Sequence, residues 1–107
     1  MGVTQILKLA NNTKVSAKDS FIVNTAQYTS STVLGKYRVT IVVADETIME
    51  STLDNTNWFT LNQGEALRPK QLYVFDIPIS PDDVFNVRVT TTTNIVFCRI
   101  DRVLGEG

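Results

Sequence analysis

The residue types that most catalytic and metal-binding sites use are scarce in this chain. Its 107 residues include no histidine and a single cysteine, Cys98. Without histidine, the sequence lacks the commonest general base and any Ser-His-Asp or Cys-His arrangement. A zinc site would have essentially no ligands, and the glycines form no phosphate-binding motif. We therefore expect no catalytic residues, no bound metal and no cofactor.

Carboxylates are the remaining candidates for catalysis, because a glycosidase uses two of them on either side of a cleft. The candidates are Asp45, Glu46, Glu50, Glu65, Asp76 and Asp101. The charges along the chain are interspersed, which favours solvated or ion-paired surface groups. Asp82 and Asp83 could supply oxygens to calcium, but a Ser80-Pro81-Asp82-Asp83 turn explains the same residues without a metal. The sequence therefore predicts a protein that is not an enzyme.

The single tryptophan, Trp58, offers a second kind of site. Together with Tyr73 or Tyr28, its ring could stack on a sugar. Trp58 precedes Phe59 in a predicted strand, however, so one of the two rings should enter the core. A carbohydrate- or receptor-binding module that uses Trp58 remains the alternative interpretation, with a glycan as its partner.

Charge and hydropathy exclude several other classes. The formal net charge is −1, whereas general nucleic-acid binding usually requires a basic excess. No apolar stretch approaches the ~20 residues of a membrane-spanning helix, and the N-terminal residues lack a signal-peptide pattern. Cys98 lies in the apolar run 95–98, where a thiol usually behaves as a small buried hydrophobe. We expect a soluble protein with neither nucleic acid nor membrane as partner.

Apolar residues recur with a period of two, which is typical of strands. Tyr37, Val39, Ile41 and Val43, for example, share one face. The predicted strands are Val3 to Ala10, Phe21 to Thr25, Tyr37 to Val43, Thr47 to Leu53, Trp58 to Leu61, Tyr73 to Ile79, Phe85 to Val89 and Asn94 to Val103. About eight strands in residues 1–107 predict a single all-β domain, a two-sheet antiparallel β-sandwich. The first and last strands are long and apolar, so we expect them to pair, which suits a jelly roll. An immunoglobulin-like sandwich is the alternative, without the usual Cys…Trp…Cys spacing.

The turn at 80–83 predicts a hairpin between the strands that flank it. If Ile79 faces Phe85, then apolar residues face apolar residues along the pair. The opposite side then brings Asp76 next to Arg88, so that acid meets base in the same register. Pro78, which has no N–H, indicates an edge or a bulge in its strand.

Several strands carry apolar residues on both faces, although a small sandwich buries only one face of each sheet. The surplus includes Val42, Leu72, Val74 and Phe97. It needs a cover, which could be a neighbouring subunit or the polar loop at 25–36. Exposed apolar patches commonly mark interfaces, so we expect subunit contact here.

Three segments resemble the second half of small jelly-roll virion proteins of tailed bacteriophages. They are Leu61 to Pro69 (a glycine turn), Leu72 to Pro78 (an aromatic strand) and Asp83 to Arg88 (an Asn-x-Arg strand). Together they cover a little under half of the chain, and the similarity is one of overall pattern. The family comprises head decoration (cement) proteins and related domains of head or tail fibres.

The resemblance implies a structural component of the virion that is assembled in the host cytoplasm. Its partners would be copies of itself, with a trimer expected, and other capsid or tail proteins. Such a protein would add buried contact between neighbouring subunits. The predicted contact residues are Val42, Leu72, Val74 and Phe97, with Tyr28 and Trp58 as further candidates.

Overall fold

The computed structural model describes residues 3–21, 35–79 and 83–104. In these ranges the chain forms nine strands and one 3₁₀ turn, Asn62–Gly64. The strands are β1 (Val3–Leu9), β2 (Thr13–Val15), β3 (Ser20–Phe21), β4 (Gly35–Val43), β5 (Met49–Thr52), β6 (Trp58–Thr60), β7 (Tyr73–Ile79), β8 (Asn86–Val89) and β9 (Thr93–Leu104). The prediction of an all-β protein is confirmed.

The strands form two antiparallel sheets. The first has the order β1-β9-β4-β7, and β2 pairs with β9 beyond the end of β1. The second has the order β3-β8-β5-β6. The expected pairing of the first and last strands is confirmed, with Leu9 opposite Cys98 and Val3 opposite Val103. β9 is an inner strand of its sheet, whereas β1 is an edge strand. The predicted two-sheet antiparallel sandwich is therefore confirmed.

The core lies between the two sheets and follows the period-two pattern. The predicted inward face of β4 is fully buried. Tyr37 from the first sheet stacks on Phe85 beside the second, with ring centroids 4.2 Å apart. Fully burying an aliphatic or aromatic side chain contributes roughly 1.5–3 kcal/mol, so the shared core is the main force that holds the sheets together. The other core residues are Val39, Ile41, Val43, Met49, Leu61, Leu67, Ile77, Ile79, Val87, Val89, Ile95, Cys98 and Ile100.

The predicted hairpin between β7 and β8 is wrong. β7 pairs with β4, and β8 pairs with β5 and β3 in the other sheet. The predicted pair of Asp76 with Arg88 is therefore wrong as well: Arg38 faces Asp76, and Glu50 faces Arg88. The reason is that β4 matches β7 as well as β8 does: its apolar residues lie opposite apolar residues of β7, and its basic residues lie on the side that carries Asp76. The turn residues 80–82 lie outside the described residues.

The run of threonines at 90–93 joins the two sheets at one end of the sandwich. The Thr47 hydroxyl accepts a hydrogen bond from the Thr91 N–H at 3.1 Å. The Asp45 N–H donates to the Thr93 hydroxyl at 3.0 Å. These bonds tie the connection between β4 and β5 to the connection between β8 and β9. The threonine-rich segment therefore has a structural role.

Candidate functional site

The outer side of the five-stranded sheet carries the surplus apolar residues. On β4, residues alternate between the core and this side, so Val42 points away from the core. Val42 lies directly opposite Phe97 of β9, and Thr40 lies opposite Val74 of β7. Leu72 immediately precedes β7, and continuing the register places it opposite Val42. We call Val42, Leu72, Val74 and Phe97 the outer apolar face.

Exposure within the outer apolar face increases towards β7. Val42 and Phe97 are half-buried, and the Lys8 ammonium lies 6.0 Å from the centre of the Phe97 ring. Leu72 is 60% exposed and Val74 is 52% exposed. The four residues predicted for subunit contact on strand pattern thus share one side of one sheet. Their most accessible part is the β7 margin.

A charged band lies next to the outer apolar face on the same side of the sheet. The Arg38 Nε donates to the Asp76 carboxylate at 2.9 Å, and the Lys36 ammonium lies 3.1 Å from it. The hydrogen bond from Arg38 is the main cause of a lowered pKa for Asp76. The Arg99 Nε donates to Asp101 at 3.0 Å, and Asp101 faces Arg38 across the strands. Asp76 and Asp101 are therefore ion-paired, as expected, but Asp101 is buried and is not a surface group.

The outer side of the four-stranded sheet carries a separate cluster around Trp58. The Arg88 Nε donates to Glu50 at 2.7 Å. The same guanidinium lies over the Trp58 ring, 4.0 Å from its centre. Trp58 is half-buried, and Arg88 covers one of its two ring faces. This cluster belongs to a different sheet from the outer apolar face, and Tyr28 lies outside the described residues.

Two further exposed apolar residues, Phe59 and Val84, were not predicted from the sequence. Phe59 is 42% exposed and Val84 is 47% exposed. Phe59 alternates with outward-facing neighbours on β6, but β6 is an edge strand and leaves its ring partly uncovered. No periodicity in a strand of three residues could have shown that it lies at an edge.

Cys98 faces the core and is fully buried. Burial raises the pKa of its thiol to about 12, because the thiolate loses its hydration. The thiol therefore stays protonated at neutral pH and is a poor nucleophile and a poor metal ligand. Among the described residues, no three Cys, Asp or Glu side chains come together as a set that could hold a metal ion.

Comparisons with known proteins give no relative. No family model matches this chain, and no curated protein or solved structure matches it. In the ranges that the structure describes, no helix has the length and apolar character to cross a membrane.

Proposed function

We propose that this chain is a non-enzymatic structural protein that binds neighbouring subunits through the outer apolar face. The observation that carries the proposal is the exposure of two aliphatic side chains on a regular sheet. Leu72 is 60% exposed and Val74 is 52% exposed, beside the half-buried Val42 and Phe97. A patch of this kind on an ordered strand favours contact with another protein surface.

The outer apolar face and the charged band beside it would supply the apolar centre and the polar rim of an interface. Covering the remaining exposed surface of an aliphatic side chain contributes up to about 1–2 kcal/mol, so the apolar residues would supply the attraction. The adjacent charged band would form a polar rim. Its alternating signs, from Lys36 through Asp76 and Arg38 to Asp101, would disfavour a partner that docks in the wrong orientation.

We propose further that the assembly is a virion and that this chain is a capsid decoration protein or a head- or tail-associated component. The two-sheet sandwich supports this, because we interpret its strand orders, β1-β9-β4-β7 and β3-β8-β5-β6, as those of a jelly roll built from two Greek keys. The resemblance of the segments 61–69, 72–78 and 83–88 supports it from the sequence. In this role the protein raises the free-energy cost of separating neighbouring subunits.

The substitution Val74→Asp tests the proposal. A carboxylate at this position would have to lose its hydration in the interface, so the dissociation constant should rise at least ~100-fold. The fold should survive, because Val74 is 52% exposed. Sedimentation velocity measures the association, and circular dichroism measures the fold.

Val84→Asp is the matched control, because Val84 is 47% exposed but lies beside the other sheet. It should leave association unchanged. The proposal fails if Val74→Asp associates as the wild type does, or if Val74→Asp unfolds the chain.

A carbohydrate-binding function is the second candidate. A half-buried indole on the outside of a sheet, with Glu50 and Arg88 next to it, favours it. Because Arg88 covers one ring face, a sugar would have to stack on the other. Titration with glycans should then shift the Trp58 emission maximum, and an unchanged spectrum across a glycan panel would contradict this function.

A further inference from the structure

The strand β7 ends the first sheet and has an unpaired backbone edge within the described strand order. The backbone N–H and C=O groups of its odd-numbered residues point towards β4. The Lys70 N–H donates to the Val43 carbonyl at 2.7 Å, so the backbone groups of the odd-numbered β4 residues point towards β7. These residues lie opposite odd-numbered residues of β7. Pro78, an even-numbered residue, has no N–H, which fits a position that does not donate to β4. In an antiparallel ladder these directions alternate along the strand. The backbone groups of Val74 and Asp76 therefore point outward from the sheet.

We propose that β7 pairs with β7 of a second copy of this chain in an antiparallel, two-fold arrangement. The inference rests on the proposed function and names the partner of the same surface. Exposed edges with free N–H and C=O groups readily add a strand. Here Leu72 and Val74 lie at the open part of the edge, and Pro78 blocks further pairing at the other end.

The side chains select one register for this pairing. If the two-fold axis passes Tyr73, Leu72 of each copy faces Val74 of the other. The Lys70 end of one strand then approaches the Asp76 end of its partner, where Lys36 and Arg38 already pair with Asp76. The apolar match of Leu72 with Val74 therefore decides between the registers. If the axis passes Val74 instead, Leu72 faces Asp76 of the other copy, which sets an apolar group against a charge. The Tyr73-centred register is therefore favoured.

The backbone is compatible with this register. The backbone groups of Leu72 and Val74 point outward from the sheet, so both residues can form hydrogen-bonded pairs across the axis. Each such pair exchanges two hydrogen bonds, which gives about four in the dimer. Lys70 has a positive φ of 62°, so its backbone leaves the strand and ends the ladder on that side. The outer apolar faces of the two copies would then join into one continuous surface.

The pairing is isologous, because the same strand serves on both sides of the axis. It therefore produces assemblies with an even number of chains. A trimer, which the resemblance implies, would need a different contact between copies.

Val74→Pro tests whether the backbone edge carries the contact. Proline removes an outward-pointing N–H and leaves the hydrogen bonds to β4 intact, as Pro78 already does at its own position. Two hydrogen bonds of the dimer are lost, so its dissociation constant should rise roughly 30-fold or more. Val74→Thr keeps the N–H and the β-branched shape and is the matched control. It should weaken the dimer less than Val74→Pro.

Cysteine cross-linking tests the register without depending on the proline variant. Hydrogen-bonded antiparallel pairs have Cα atoms about 5.5 Å apart, a spacing that suits a disulfide. A mixture of Leu72→Cys and Val74→Cys proteins should oxidise mainly to the mixed dimer, whereas either protein alone should cross-link poorly. The buried Cys98 should not react.

Comparing the dimer affinities of Val74→Pro and Val74→Asp distinguishes failure of edge pairing from failure of the proposed function. A Val74→Pro dimer of undiminished affinity, alongside a dissociated Val74→Asp, would overturn edge pairing and leave the outer apolar face as the interface. Dominant cross-linking of Val74→Cys with itself would overturn the Tyr73-centred register. A wild-type chain that stays monomeric at millimolar concentration would overturn both proposals.

Discussion

Asp54 organises the turn between β5 and β6 with one carboxylate. Its Oδ1 accepts hydrogen bonds from the Asn57 N–H at 2.7 Å, from the Thr56 N–H at 2.8 Å and from the Thr52 hydroxyl at 2.9 Å. These bonds favour the ionised form, and they hold the pKa of Asp54 far below its ordinary value. Asn55 takes a left-handed conformation with φ 61°, which asparagine tolerates better than most residues.

Asp54→Asn should destabilise the protein at neutral pH. Because the folded-state pKa is lowered, the stabilisation by Asp54 is present above the unfolded pKa of about 3.9 and is lost as the pH falls through the folded pKa. The difference in unfolding free energy between wild type and variant should therefore narrow below about pH 4. Urea denaturation at pH 7 and pH 3 measures it, with Glu46→Gln as a control for the loss of one exposed negative charge. A difference that does not change with pH would contradict this account.

At the scale of the strands, β5, β6 and β8 are linked through Arg88. It joins Glu50 on β5 by an ion pair and Trp58 on β6 by stacking. The Arg88 and Glu50 side chains are only 21% and 18% exposed, so solvent screens their contact less than it screens a surface pair.

Arg88→Ala should lower the unfolding free energy by about 1–2 kcal/mol. It should also move the Trp58 emission to longer wavelength, because the ring loses its cover. Arg88→Lys restores a charge opposite Glu50 but not a planar group over the indole, so an intermediate effect is expected. Chemical denaturation followed by fluorescence tests both variants, and an unshifted emission maximum for Arg88→Ala would show that Arg88 does not cover the ring in solution.

The period-two pattern predicted the longer strands well, because each of them alternates clearly between the two faces. It missed β2, which has only three residues. Residues 22–25 of the predicted strand Phe21 to Thr25 lie outside the described residues. The pattern could not choose partners, since β4 and β8 both fit β7 in apolar pattern and in charge. Sequence proximity favoured β8, whereas the sandwich joins strands that are far apart in the chain. Asp101 and Arg102 are both buried on β9, and no rule of alternation could have predicted adjacent charged residues with only 4% exposure each.

At the scale of the whole molecule, the sequence identified the four residues of the outer apolar face through an excess of apolar residues on the strands. Val42, Leu72, Val74 and Phe97 exceed what one buried face per sheet requires, and the structure brings them together on the outside of one sheet. Pro78 indicated an edge or a bulge in its strand, and β7 does lie at the edge of its sheet. The sequence could not decide between the two, because the position of β7 depends on the order of strands in the sheet.

The most direct test of the account is the mass of the wild-type protein in solution, measured by light scattering after size exclusion over a range of concentrations. We predict a mass that rises with concentration from one chain to two, with larger even-numbered assemblies permitted. The mass of a single chain at every concentration up to millimolar would contradict the claim that the outer apolar face and the β7 edge join copies of this protein.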